Sequence, residues 1–368
     1  MSTVSINPAD LKINFARLKS DVQTLAQIGG GAVGEGVTRI AFSAADMASR
    51  RWLTAQLDAA GIANRMDSAA NVFGAVLPGD ATSATAADLV KLTGSVVTGS
   101  HLDSVPAGGH LDGALGVVAG LECLRVIHES GLKLKRPVEL VAFSDEEGRF
   151  GGMFGSRAIA GTLTPQIIQQ AVALDGTTLE AAMAAHDMSA LEALGARRSQ
   201  GSMSAFVELH IEQGPVLDTG NLRIGVVEQI IGLFKWSVRL IGEANHAGTT
   251  PMHLRRDAFA GLAEFSGEIP RILEEHGGDH SVATIGQVSL SPGAANSVPG
   301  VAQFSLDVRD TAQAGLDALA DALRRALSPC VFVRSAYTQH PSRAGRQTGR
   351  ERPGPWFRFL GSDVSWLG

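Results

Sequence analysis

SVVTGSHLDSVPAGGHLDGALGV, residues 95–117, is the stretch from which the fold is read. Its start, Ser95 to Gly99, has the short β-branched texture of a buried strand. From Ala114 the apolar residues recur at helical spacing to about Ser130. Between strand and helix stand His101, Asp103 and Asp112. In an open α/β sheet the loops at the carboxyl ends of strands are where ligands bind, so this unit puts an imidazole and carboxylates on one rim. A His-x-Asp pair alone is more often an ordinary loop pair, so its neighbours decide.

Working outward, Val138 to Phe143 reads as the next strand, and it runs into Asp145, Glu146 and Glu147, delivering consecutive carboxylates to the same rim. Clustered like charges are costly unless a cation compensates them, which favours a metal site over a bare acidic loop. Ala205 to Ile211 alternates, so Phe206, Glu208 and His210 share one strand face. Histidine nitrogen and carboxylate oxygen together are what zinc, manganese, cobalt or nickel take as ligands, and the number of donors suits two ions better than one. Val72 to Leu77 is a further strand, Asn7 to Ile28 an amphipathic helix, and Ser43 with Asp46 the N-terminus of another helix. Strands alternating with helices imply an α/β domain with a mostly parallel sheet covered on both faces. Gly29, Gly31 and Gly34 form a GxGxxG, but they follow a helix rather than a strand, so no nucleotide site is assigned. Cys123, between Leu121 and Leu124, is expected in the core.

Leu217 to Gly225 reads as a linker. Beyond it Ile224 to Ile231, Phe234 to Gly242, Ala283 to Leu290 and Ala302 to Val308 read as strands, with helices at Asp257 to His276 and Ala312 to Leu327. The expected organisation is a catalytic domain over 1–216, an α+β domain over 217–328, and an atypical tail over 329–368. That tail has six arginines, no lysine, and only Glu351 and Asp363 as acids.

A chain of 368 residues with net charge -6 and no dense basic run before the tail offers no electrostatic footprint for nucleic acid or an anionic membrane. No apolar run approaches the ~20 residues of a membrane span, and no leader-like segment opens the chain. Two cysteines without a CxxC pair fit a reducing cytoplasm. There is no GxSxG elbow, and neither cysteine neighbours a base, so a serine or cysteine nucleophile is not expected.

Six ordered segments, GSHLDSVPAGGHLDGALGV (99–117), SDEEGRFGGMFGSR (144–157), HIEQGPVL (210–217), NHAGTTPMHLRRDA (245–258), NSVPG (296–300) and DVR (307–309), resemble the hydantoinase/carbamoylase-type amidases. That group includes N-carbamoyl-L-amino acid hydrolases, allantoate amidohydrolases and β-ureidopropionases. The resemblance, over roughly 37–327, implies a zinc-exopeptidase-like catalytic domain with an inserted lid and dimerisation domain. It implies two divalent ions per subunit: one on His101, Asp112 and His210, the second sharing Asp112 and taking Glu147, with Glu146 as general base. It also implies that Gln213, His246, Asn296 and Arg309 contact substrate, His246 polarising the carbonyl and Arg309 gripping a carboxylate. His246 and Asn296 would come from the partner subunit of a homodimer.

The resemblance stops before the family's returning Ser-Gly-Ala-Gly-His-Asp segment, whose histidine completes the second metal site. His340 stands in no such motif. The tail therefore reads as a truncation or a frame change, with part of the sheet expected uncovered and the second metal left on Asp112 and Glu147. The leading expectation is hydrolysis of an N-carbamoyl-L-amino acid or related ureido compound, with allantoate as the alternative substrate. An inactive homologue, or a metallopeptidase, are the readings from other classes.

Overall fold

The computed structural model describes residues 7–330 apart from 33, 80–84, 174 and 229, together with two short strands at 332–334 and 358–360. His340 and most of the tail reading lie outside the described residues. The chain divides into two compact units, Met1–Arg223 and Ile224–Gly368.

The first unit is built on a mixed sheet of five strands: β1 (Ala63–Met66), β2 (Val72–Val76), β3 (Ser95–His101), β4 (Val138–Phe143) and β5 (Met203–Val207), in the order β1-β2-β4-β3-β5. β3 runs parallel to β4 and β5, while β2 is antiparallel to β1 and β4. A parallel pair needs a crossover, and α3 (Ala114–Ser130) supplies it between β3 and β4. Helices α1 (Phe15–Gln27) and α2 (Ala44–Ala59) join α3 in one apolar cluster, where Leu53, Leu57, Val117, Leu121 and Leu140 are fully buried. Phe73, Val97, Val141 and Ile159 form a second, smaller cluster. Each fully buried aliphatic side chain stabilises by roughly 1.5–3 kcal/mol, so these packed side chains fix the sheet on which the site is built.

Local chemistry sets the helix starts. The Ser43 hydroxyl accepts the Asp46 N–H at 3.2 Å, as the sequence implies. The first helix is shorter than expected, because the Asn14 side chain caps it by accepting the Arg17 N–H at 3.1 Å, leaving only a 3₁₀ turn, Pro8–Asp10, upstream. Cys123 is exposed, a correction: Val117, Val118, Leu121 and Leu124 take the buried face of α3 and leave it outside.

β5 is also shorter than its alternation suggests. Its ladder on β3 ends at the pair Val207 and Thr98, so Glu208 and His210 lie beyond the strand. Phe206, Val207 and Leu209 are 44%, 62% and 49% exposed along this edge. No strand forms over Ile224 to Ile231 among the described residues, since that apolar run finds no ladder to join. The start of the segment read as a linker overlaps a short helix, Val216–Thr219.

The second unit is α+β. β6 (Gly232–Ile241) and β11 (Val301–Asp310) pair antiparallel along their whole length, from Gly232 opposite Asp310 to Ile241 opposite Val301. The single strand expected at Ala283 to Leu290 is two, β8 (Val282–Thr284) and β9 (Val288–Ser291), both on β11. A ribbon of β7 (Asn245–His246) and β10 (Ser297–Val298) stands apart. β12 (Phe332–Arg334) and β13 (Arg358–Leu360) extend the main sheet beyond β6. Alternation on β6 turns Phe234, Trp236, Val238 and Leu240 into a core with α4 (Ala258–His276) and α5 (Gln313–Cys330), and leaves Lys235, Ser237 and Arg239 exposed.

Candidate metal centre

His101 closes β3 and is 4% exposed. Its Nδ1 lies 2.9 Å from the Asp103 carbonyl oxygen. A carbonyl can only accept, so Nδ1 carries a proton, and it is Nε2 that offers a lone pair whenever the ring is neutral. His210 repeats the arrangement, with Nδ1 at 2.7 Å from the Ile211 carbonyl. Its Nε2 faces the Asp112 Oδ1 at 3.4 Å, and that oxygen is buried without a hydrogen-bond partner. That facing pair is balanced either by a proton on Nε2 or by a cation lying between the two atoms. One donor atom each from His101, Asp112 and His210 falls within 4.8 Å of the others. Two imidazoles oriented by carbonyls and one carboxylate are a donor set that fits zinc or a similar divalent ion.

The acidic rim follows β4. Asp145 sits at φ 46°, its carboxylate accepting the Phe150 N–H at 3.1 Å, and burial, reinforced by Asp103, pushes it up to about 8. Glu146 Oε2 stands 3.6 Å from His101 Nε2. Burial raises the Glu146 carboxyl above its ordinary range, with Asp103, Asp112 and Glu208 adding to the rise and His101 opposing it. Glu147 is raised for the same first reason, with Asp112, Glu146 and Asp103 adding to it. Burial would depress His101, but Asp103, Glu146 and Glu147 outweigh it and raise the ring. So many carboxylates held above their usual range describe a pocket of unbalanced negative potential. Glu147 donates its backbone N–H to Asp103 Oδ2 at 3.1 Å and stands outside the three-residue group.

Of the expected substrate contacts, Gln213, at φ 54°, donates its amide to Asp112. The others belong to the second unit. His246 accepts the Gly248 N–H at Nδ1, 3.1 Å, so its exposed ring carries the proton on Nε2. Asn296 adjoins it: its carbonyl accepts the Ala247 N–H at 2.9 Å, and Ser297 pairs with His246. Arg309 lies elsewhere on that unit, bound to Asp307 at 2.8 and 3.3 Å, beside a cavity of about 540 Å³ also lined by Lys235, Thr284 and Ser305. Along β11 it sits opposite Leu233, eight residues from the Val301 end where β6 runs on toward β7. At the rise of a strand that is roughly 26 Å.

Sequence reasoning missed the polar layer under the acidic loop. Asp67 and Asn71, four residues apart before β2, are bonded side chain to side chain at 2.9 Å, and Asn71 is fully buried. Two short polar side chains bracketing a turn ahead of a strand were the available signal.

Comparison with known proteins extends these observations. Residues 97–348 match the peptidase family M20/M25/M40. The chain is 38% identical over 312 residues to an N-carbamoyl-L-amino-acid amidohydrolase of Paenarthrobacter aurescens, covering 84% of this chain and 73% of that protein. It is 34% identical over 290 residues to the allantoate amidohydrolase of Bacillus subtilis, covering 78% and 67%. Among solved structures, a hydantoinase/carbamoylase family amidase from Burkholderia ambifaria superposes with a TM-score of 0.68 at 34% identity, covering 87% of this chain and 75% of that one.

Proposed function

The chain belongs to the peptidase family M20/M25/M40, in company with the hydantoinase/carbamoylase amidases, and on that premise we propose that it hydrolyses the carbon–nitrogen bond of an N-carbamoyl-L-amino acid, releasing the amino acid, ammonia and carbon dioxide. The observation that carries the proposal is the convergence of the His101, Asp112 and His210 donors beside Glu146.

His101, Asp112 and His210 would hold one divalent ion, zinc or else manganese, cobalt or nickel, and Asp112 with Glu147 would share a second. When bound, such ions supply Lewis acidity that brings the pKa of water toward ~7. Glu146 then takes the proton of the attacking water and passes it to the departing nitrogen, a role suited to a carboxyl whose pKa is already raised. Arg309 binds the substrate carboxylate through a paired, charge-assisted contact and Gln213 assists it. His246 donates a hydrogen bond from its Nε2–H to the carbonyl oxygen as charge develops there, with Asn296 beside it. Because Arg309 lies roughly 26 Å along β11 from the end where β6 runs on toward the separate His246–Asn296 ribbon, the proposal takes them from different subunits of a homodimer. Among the described residues no helix is long and apolar enough to cross a membrane, and the cysteine usage supports placing the protein in the cytoplasm.

Likeness to the Bacillus subtilis allantoate amidohydrolase supports allantoate as the second candidate substrate. The deciding experiment is a substrate panel on purified protein, with ammonia release and metal content measured together. Release from N-carbamoyl amino acids but not allantoate supports the first reading, and the converse supports the second. Metal bound without turnover on any ureido compound would move the chain to the inactive alternative.

A further inference from the structure

We infer that Asn71 is a positioning residue for this chemistry, acting by clasping the neck of the loop that carries Glu146 and Glu147; the inference rests on the functional reading above. The loop leaves β4 at Ser144 and returns at Gly155, where the Gly155 N–H donates to the Ser144 carbonyl at 2.8 Å. Inside that neck the Phe154 N–H meets the Asp145 carbonyl at 3.1 Å and the Met153 N–H meets the Glu146 carbonyl at 3.2 Å. The Asn71 carboxamide holds both sides of it. Its Oδ1 accepts the Ser144 N–H at 3.1 Å and its Nδ2 donates to the Gly155 carbonyl at 3.2 Å. The second Nδ2 proton goes to Asp67 Oδ2 at 2.9 Å, and Asp67 Oδ1 in turn accepts the N–H groups of Ala69 and Asn71 at 2.9 and 2.8 Å. The amide orientation is thereby fixed, since the reversed one would set a donor against the Ser144 N–H and an acceptor against the Gly155 carbonyl.

The fit leaves no slack. Asn71 is 0% exposed, and a Cβ on Gly155 would stand 2.0 Å from Asn71 Oδ1. The Ser144 hydroxyl bonds the Ala69 carbonyl from the same turn, so the turn before β2 and the neck after β4 are joined at three points. The loop has no sheet ladder of its own, so the placement of Glu146 next to His101 depends on how firmly this neck is held.

The test uses the full chain. For Asn71→Ala we expect kcat on an N-carbamoyl amino acid to fall about 10–100-fold with KM within about threefold, and Zn²⁺ affinity to drop. Hydrogen exchange should quicken at the amides of 145–153 but not in β3 or α3. A folded variant with unchanged kcat and unchanged exchange in 145–153, losing only melting temperature, would overturn the inference. Gly155→Ala pries the same clasp from the opposite side and decides the question if Asn71→Ala does not fold. The same signature from it supports the clasp, and its absence overturns it. If the wild-type chain hydrolyses no ureido compound, the functional reading falls while the Zn²⁺ and exchange measurements still judge the clasp.

Discussion

Gly113 lies flat against the imidazole of His101: a Cβ at this glycine would come within 2.5 Å of Cε1, Nδ1 and Nε2 of the ring. Its φ of 60° is also one that other residues adopt only at a cost. The glycine after Asp112 therefore keeps open the space in which two proposed ligands meet. Gly113→Ala should displace the ring and weaken Zn²⁺ binding about 10–100-fold, read by competition with a chelating dye. Wild-type affinity in that variant would separate His101 from metal binding.

Glu146→Ala should remove the proton carrier without removing a ligand. Turnover is expected to fall by about 10²–10⁴-fold while metal content per chain is unchanged. Elemental analysis and ammonia release on the same preparation check both halves, and retained activity would sink the assignment.

Arg309→Lys keeps the charge and loses the fork that Arg309 now shows Asp307. A charge-assisted pair is worth about 1.5–3 kcal/mol, so KM for a carboxylate-bearing substrate should rise roughly 10–100-fold. An N-alkylurea lacking the carboxylate should be insensitive to the change. Equal effects on both compounds would mean that the contact lies elsewhere.

Arg50 and Asp46 form a fully buried ion pair at 2.9 Å, and Arg50 also donates to the carbonyls of Ala70 and Phe143 at 2.8 and 3.1 Å. Arg50→Met strands Asp46 and should destabilise the first unit by about 3–5 kcal/mol in urea titrations. A loss below about 1 kcal/mol would show that the pair is dispensable.

Burial holds the Asp67 carboxyl above its ordinary range, although the Asn71 side chain and backbone and the Ala69 backbone all donate to it. The folded state thus keeps a proton that the unfolded chain gives up near pH ~4. This contribution to stability is complete below that value and is lost as pH rises through the raised one, by no more than ~1.4 kcal/mol per pH unit. Urea midpoints of the metal-free protein should fall across that window, and Asp67→Asn should flatten the slope. An unchanged slope would show that Asp67 titrates normally.

The chemistry of the rim was legible because residue type and chain direction suffice for it. β3 and β4 carry His101 and the acidic run to their carboxyl ends whatever the rest of the sheet does. His210 was found for a less secure reason. Alternation placed it on a strand face, but the ladder stops at Val207 and the chain turns it in afterwards. Strand ends depend on partners remote in sequence, which is also why the apolar run Ile224 to Ile231 looked like a strand and is not one. The clasp at Asn71 was hidden because two of its partners, Ser144 and Gly155, are remote in sequence and meet it only after folding, while Asp67 alone is local.

The three proposed ligands differ sharply in setting, from His101, sealed at the end of a central strand, to His210, just past the exposed edge strand β5. An edge of this kind opens at far lower free energy than the sheet's centre. Occupancy of the site would weld the exposed β5 margin of the first unit to the buried end of β3. A chelator should then act on the margin alone, exposing the peptide bonds of 208–223 to protease well before the sheet itself gives way.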